Sequence, residues 1–551
     1  MRIKNCNFEM CIVYIALLPP ASASDELFCK LLHTEATHKP YKYKYETRTV
    51  IILTMFETVL SYFETSAILA AVLLLLVTFY IRSRQPKNLP PSPGAALPLI
   101  GHLHLLGKNP RRRFKQWAQE YGDVFTLQMG PERTIFVNTL EAMKEAFIKK
   151  ADFFSDRSQN SIVSHHASDV FHGIVSSSGS NWKAQRTTSL AILRNFGMGK
   201  NMLAEKILEE VSFYTKELTN SKGKPCDIHY LTNMSVSNVI SSIIFGKRFE
   251  FNDPKFIKQI EMFNDLVKLS TGVLVFFPSL YYLPFDLFKG KKLVQLYFAM
   301  RNFTDEMISE VKNRNDSGNL DNYIVAYIEE MEKEKQSGQL YLDELNLARN
   351  IDNLFVAGSE TTSTTIMWCL LYMLHYPEVQ QKIYKEIVEQ IGTERPPNIT
   401  DKSNLKYLTA VIMEVQRKAS ILPLSVPHLC NKDTTLAGYN IPKGTIVMPN
   451  LDAIHSSKEI WGDPENFRPE RFLDAKGNII KREELMPFSI GRRICLGESL
   501  AKMELFLYLS TLFQKFEFLP ASPDKVPPLQ DTWGLVAAPE HFEIRCVERD
   551  N

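Results

Sequence analysis

The residues best suited to chemistry lie in one short run near the C-terminus, Phe488-Ser489-Ile490-Gly491-Arg492-Arg493-Ile494-Cys495-Leu496-Gly497. A lone cysteine is most often a small buried hydrophobe. This one stands among glycines, which let backbone approach a flat ligand closely, and beside two arginines, with a helix expected from near Glu498. Amide donors and positive charge around a sulfur stabilise its thiolate, the form that ligates metal. A single thiolate without neighbouring ligand residues suits a metal whose other positions are already filled, as in heme. At average residue usage, FxxGxRxCxG matches a random window on the order of once in several million.

Four other constellations are ordinary when taken alone. Trp182 and Arg186 are four apart and share a helix face, where a core aromatic beside an extended arginine is the usual reading. Ala357-Gly358-Ser359-Glu360-Thr361-Thr362 puts glycine and threonines in the middle of a long helical stretch, which weakens its interior and lets a hydroxyl take hydrogen bonds that backbone normally makes. Glu414 and Arg417 are three apart, usually a surface pair of little energetic weight. His428 follows Pro427 in a loop.

The elements that must position these residues follow from the rest of the chain. Of its 551 residues, 64 are Lys or Arg and 62 Asp or Glu, a net charge of +2 that gives no electrostatic reason to expect nucleic acid. The Arg111–Arg113 run reads as a solvated helix face. The eight cysteines are scattered without a CxxC, so neither a disulfide framework nor a zinc site is expected. Residues 59–81 are apolar for about the 20 residues that cross a bilayer, with Arg82, Arg84 and Lys87 following, which predicts an anchor with a cytosol-facing sequel. Residues 1–54 read either as a signal-like extension or as a stretch upstream of a natural start at Met55. The proline-rich, basic segment 82–94 is a stiff hinge, and 95–551 form one large domain. That domain is mostly α with small β-sheets. Helices are expected over Arg186–Leu218, Tyr341–Leu374 and Pro377–Ile391, and strand pairs for Asp123–Met129 with Arg133–Asn138 and for Thr434–Ala437 with Thr445–Met448.

The Cys495 segment resembles the heme-binding loop of the cytochrome P-450 family at Phe488, Gly491, Arg493, Cys495 and Gly497. The other motifs fall in that family's order from about Pro90 to the C-terminus. The blocks Leu193–Lys200, Val426–Leu429 and Leu496–Ala501 are most similar to the second family of the animal microsomal branch. The resemblance implies the P-450 fold, with heme b between a long distal helix and the cysteine loop, and Cys495 as the axial iron ligand. It implies propionate contacts from Arg493, Trp182, Arg186, His428 and Arg157. Glu360 and Thr361 would relay protons to bound O2, and Glu414, Arg417 and Arg471 would form a structural triad. Pocket walls would come from Ser158–Ile174, Asn353–Ala357, Leu422–Val426 and Trp533–Val536. Asn353 stands where many relatives carry an acid.

The implied activity is a monooxygenase acting on an apolar small molecule or lipid. With no GxGxxG site in the chain, electrons would come from NADPH through a membrane-bound reductase, with cytochrome b5 as an optional second partner. Lys183, Lys200 and Arg492 are candidates for that docking surface. The implied location is the endoplasmic reticulum membrane. A heme-thiolate isomerase or dehydratase and a non-catalytic heme or lipid sensor are the rival readings, and the intact Glu360-Thr361 pair favours the monooxygenase over the isomerase.

Overall fold

The computed structural model describes residues 61, 65–77, 86–160, 162–197, 201–269, 273–314, 322–338, 341–532 and 534–550, in two units, Met1–Gln85 and Pro86–Asn551. In the first unit, residues 65–77 are helical, and no helix among the described residues is long and apolar enough to cross a membrane. The rest of the expected 59–81 span, apart from residue 61, lies outside the described residues, as do 1–54 and 82–85.

The second unit is mostly helical. Its helices of ten residues or more are α1 (Pro110–Tyr121), α2 (Gly179–Asn195), α3 (Asn201–Asn220), α4 (His229–Ile244), α5 (Pro254–Leu269), α6 (Gly290–Asn313), α7 (Tyr323–Ser337), α8 (Glu344–His375), α9 (Pro377–Gln390), α10 (Lys406–Ala419) and α11 (Glu498–Lys515). The strands are β1 (Val124–Met129), β2 (Glu132–Val137), β3 (Pro225–Cys226), β4 (His428–Leu429), β5 (Thr434–Leu436), β6 (Tyr439–Ile441), β7 (Ile446–Pro449), β8 (Phe516–Pro520), β9 (Asp531–Thr532), β10 (Ala538–Pro539) and β11 (Ile544–Glu548). They pair in small sheets of order β1-β2-β7-β4, β3-β11-β8, β5-β6 and β10-β9.

Helix α8 is the axis of the fold. At 32 residues it runs about 48 Å. The Asp343 side chain caps its start by accepting from the Asn346 amide, and Pro377 opens α9 directly after it. Residues Thr362–Leu374 are buried without interruption, so packing on every face outweighs the poor helix propensity of the threonines. Gly358 lets α4 cross closely, since a Cβ there would meet Ile240 Cγ1 at 3.2 Å. Helix α11 is buried along most of its length, and Phe506, Leu509, Leu512 and Phe513 join α8 in the main core.

Three expectations need correction. Arg186–Leu218 is two helices: Gly197 takes the left-handed φ of 86° that ends α2, and α3 begins at Asn201. Thr434–Ala437 does not pair with Thr445–Met448. Ala437 and Gly438 both have positive φ, 49° and 81°, forming a tight turn that folds β5 onto β6. Strand β7 instead lies parallel to β2 and antiparallel to β4. Arg111 is not solvated, because it turns inward to Asp452 at 2.8 Å and Asp531 at 2.6 Å, leaving Arg112 and Arg113 exposed. The β1–β2 hairpin forms in the expected place.

Beneath the site, α10 carries a buried ion cluster. Arg417 donates to both Glu414 oxygens at 2.8 Å, and Arg471 Nε donates to Glu414 Oε1 at 3.1 Å. The remaining guanidinium hydrogens go to the carbonyls of His455, Trp461, Asp463, Pro464 and Asn466 and to the Asp463 carboxylate. Each charge is both paired and hydrogen-bonded, the condition under which burial is tolerated. The three residues act as a clamp on the segment leading to the cysteine loop.

Candidate active site

The loop before α11 presents Cys495. Its shape depends on Gly491, whose φ is 81° and whose missing Cβ would sit 2.0 Å from the Phe147 carbonyl oxygen. Ser489, at φ 62°, is held in a conformation non-glycine residues rarely adopt. The Cys495 amide donates to the Phe488 carbonyl at 3.0 Å. The Cys495 side chain is exposed, yet burial pushes its thiol pKa up, against the Gly497 amide and Arg186, which favour the thiolate. Both hold if the sulfur faces a recess walled by protein rather than the outer surface.

Around it lies positive charge that makes no ion pair among the described residues, although the Asp156 carboxylate acts on Arg493 from nearby. Strand β4 and an isolated bridge from Asp156 to Leu429 bring Arg157 beside His428, and α2 brings Trp182 and Arg186. Arg493 donates to the carbonyls of Ser155 at 2.8 Å, Ile174 at 3.1 Å and Ser177 at 2.6 Å, and its guanidinium lies 4.1 Å from the Trp182 ring centre. Arg157 reaches the carbonyls of Val175, Val426 and Pro427, and Arg186 donates to the Ile494 carbonyl at 2.6 Å. Burial depresses the pKa of all three guanidiniums, Arg157 also acting on Arg493. The buried Trp182 Nε1–H has no partner among the described residues. His428 Nδ1 lies 2.6 Å from the Phe154 carbonyl, and burial with Arg157 and Arg493 drives its pKa well below 6.5. With Nδ1–H spent on that carbonyl, Nε2 offers a proton only as imidazolium, which an adjacent carboxylate would favour.

Half-buried guanidiniums without an ion pair among the described residues and a buried unsatisfied N–H are costly alone. They fit the two carboxylates of a flat anionic ligand whose metal faces Cys495, which describes heme.

On α8, Ala357 is exposed between buried Phe355 and Ser359, so this face meets open space. Thr361 Oγ1 donates to the Ala357 carbonyl at 2.8 Å. The Glu360 carboxylate accepts from Asn233 of α4 at 3.1 Å, and burial raises its pKa. The structure thus gives Glu360 a partner on the neighbouring helix rather than Thr361. Asn353 Oδ1 accepts from the Val175 amide at 2.9 Å, tying α8 to the residue directly after the expected 158–174 wall; Trp533 and Lys200 lie outside the described residues. Arg492 is ion-paired with Asp152, and Lys183 is exposed.

Sequence reasoning missed Asn233 and Glu504. Glu504 of α11 is buried and accepts from Thr362 at 3.1 Å. Its only visible signal was a carboxylate within an apolar helix, nine positions after Cys495.

A fold of this kind around a lone cysteine and a cationic pocket defines the heme-thiolate class. A sequence profile of the family described as Cytochrome P450 matches residues 90–546. The chain is 38% identical over 485 residues to Cytochrome P450 2J1 of Oryctolagus cuniculus, covering 88% of this chain and 96% of that one. It is 36% identical over 494 residues to Cytochrome P450 2J2 of Homo sapiens, with 87% and 95% covered. With Cytochrome P450 2U1 of Homo sapiens the identity is 35% over 513 residues, with 88% and 93% covered. The chain belongs to the cytochrome P450 family, is most like its microsomal family 2 monooxygenases, and is an enzyme of that kind.

Proposed function

We propose that the protein inserts one atom of O2 into an apolar small-molecule or lipid substrate, drawing electrons from NADPH through a separate reductase. The observation that carries this reading is the uncompensated cluster of Arg157, Arg186 and Arg493 with the unpartnered Trp182 Nε1–H beside Cys495. In this reading the cluster and His428 would hold the two heme carboxylates, and the Cys495 thiolate would bind the iron. When bound, heme supplies oxygen activation, which an electron-rich thiolate ligand promotes. The chain's own residues do the rest. Arg186 and the Gly497 amide favour the anionic sulfur against the opposing effects of burial and Glu498. Thr361 exchanges its helix carbonyl for a water or ligand hydrogen bond, and burial raises the pKa of Glu360, which favours its protonated form.

Residues 59–81 would anchor the chain in the endoplasmic reticulum membrane with residues 95–551 facing the cytosol. The exposed Lys183 and the half-exposed Arg492 would join the surface that meets the reductase.

The test combines the full chain in lipid vesicles with NADPH and NADPH–cytochrome P450 reductase. Substrate-dependent O2 uptake with hydroxylated product supports the proposal. O2 uptake that yields only peroxide across a broad apolar substrate panel would reject it.

A further inference from the structure

The last turns of α8 line a second crevice, of about 330 Å³, bounded also by the start of α1, the end of α10 and the segment entering β9. That volume is at the small end for a ligand pocket, and none of the residues assigned to heme lines it. One side is aromatic. Trp368, Tyr372 and Tyr376 stand four apart on α8, with successive ring centres 5.9 and 6.4 Å apart. Tyr372 is only 4% exposed, yet its hydroxyl makes no hydrogen bond among the described residues.

The charged side is out of balance. Arg111 and Lys115 share Asp452 at 2.8 and 3.1 Å, and Arg111 also takes Asp531 at 2.6 Å, so these four charges cancel. The other charged groups lining the crevice are Arg112, Lys418 and Glu465, and none of the three makes an ion pair among the described residues. Arg112 is exposed. The Lys418 ammonium donates to the carbonyls of Pro464 at 3.3 Å and Glu465 at 2.7 Å, and burial together with Arg417 lowers its pKa to about 8. Two cations against one carboxylate leave a single positive charge beside a free hydroxyl and a row of rings.

The crevice is also tied to the expected heme-pocket walls. Trp368 Nε1 donates to the Ala537 carbonyl at 2.8 Å, and the Ala537 amide donates to the Ile421 carbonyl at 2.7 Å. Ala537 directly follows the wall Trp533–Val536, and Ile421 directly precedes the wall Leu422–Val426.

We propose that this crevice is an effector site for a small monoanionic carboxylate with a flat apolar body: the body lies against the aromatic row, Lys418, Arg112 and the Tyr372 hydroxyl take the carboxylate, and the Trp368–Ala537–Ile421 chain passes occupancy to the heme pocket. The ligand class rests on the crevice alone, and the effect on the heme pocket rests on the proposed reading of the two walls.

The experiment uses the full-length heme-loaded protein with its heme pocket filled by a bulky N-substituted imidazole, and naphthoate as the probe. Equilibrium dialysis should find one equivalent of naphthoate bound, with neutral naphthamide roughly tenfold weaker or worse. Lys418→Gln should weaken naphthoate by roughly tenfold, the scale of a hydrogen bond to a charged group. Arg112→Gln should weaken it by about threefold, as befits an exposed charge, and covers the case in which Lys418→Gln does not fold. Saturating naphthoate should change the affinity for the imidazole, read from the Soret shift, by roughly fivefold or more, and the change should shrink in both variants at the same probe concentration. No binding to the imidazole-filled wild type, equal binding of naphthamide, or variants that bind as tightly as wild type would overturn the ligand site. Binding without any change in imidazole affinity overturns the effector role. A Soret band that does not respond to the imidazole overturns the wall reading and the effector role with it, while dialysis against the variants still decides the ligand site.

Discussion

Replacing Glu504 by glutamine tests the electrostatics behind the distal helix. Glu504 is 2% exposed, and the hydrogen bond from Thr362 only partly offsets burial, so its pKa rises from 4.5 to about 8. A carboxyl raised in this way leaves stability intact below about pH 4.5 and costs progressively more as the pH climbs through the folded value. Each unit is about 1.36 kcal/mol. Between pH 6 and pH 9 the unfolded chain is ionised throughout, while the folded carboxyl goes from protonated to mostly ionised. The linkage integral over that window is about 2.5 kcal/mol of lost stability. Glutamine keeps the shape and an acceptor for Thr362 without titrating. The stability difference between Glu504→Gln and the wild type should therefore shift in favour of the variant by about 2.5 kcal/mol from pH 6 to pH 9. Urea unfolding followed by circular dichroism at the two pH values measures it, and other titrating groups cancel in the difference. A difference that stays constant across the window would mean that Glu504 does not titrate there and that the account of its burial is wrong.

Gly491→Ala should abolish heme incorporation while leaving helical content near wild type, because the added methyl has nowhere to go but the Phe147 carbonyl; absorbance of the purified protein against its far-UV spectrum checks this. Glu414→Ala leaves Arg417 without its ion partner and Arg471 with Asp463 alone, their side chains only 1% and 2% exposed, and should lower stability by about 3–5 kcal/mol, whereas Glu414→Gln should cost less because both arginines keep an acceptor; urea midpoints rank the two. Thr361→Ala removes a hydroxyl that donates to a carbonyl of its own helix, so stability should change little while the ratio of peroxide to product rises. A ratio equal to wild type would take Thr361 out of oxygen handling.

Local chemistry was legible in the sequence wherever a residue's conformation follows from its immediate neighbours. Pro377 fixed a helix start, the Gly130-Pro131 turn set the β1–β2 hairpin, and the Cys495 run identified the loop. The Ala437-Gly438 turn was hidden because alanine seldom takes positive φ, so no Asn-Gly cue marked the short hairpin, and β7 was assigned the wrong partner. Arg111 read as surface because its partners, Asp452 and Asp531, lie more than 300 residues away. A separation of 127 residues concealed the pairing of Glu360 with Asn233. Glu414 and Arg417 show the limit most plainly: a spacing that is usually a weak surface pair is here fully buried, and only tertiary context supplies Arg471 and the five carbonyls that make it stable.

The central claim is that Cys495 binds heme iron as a thiolate within the arginine pocket. The most direct test is the absorption spectrum of the reduced carbon monoxide complex of the wild-type protein and of Cys495→His. The account predicts a strongly red-shifted Soret band in the wild type that is lost in the variant. Full heme incorporation without that band in the wild type would contradict it.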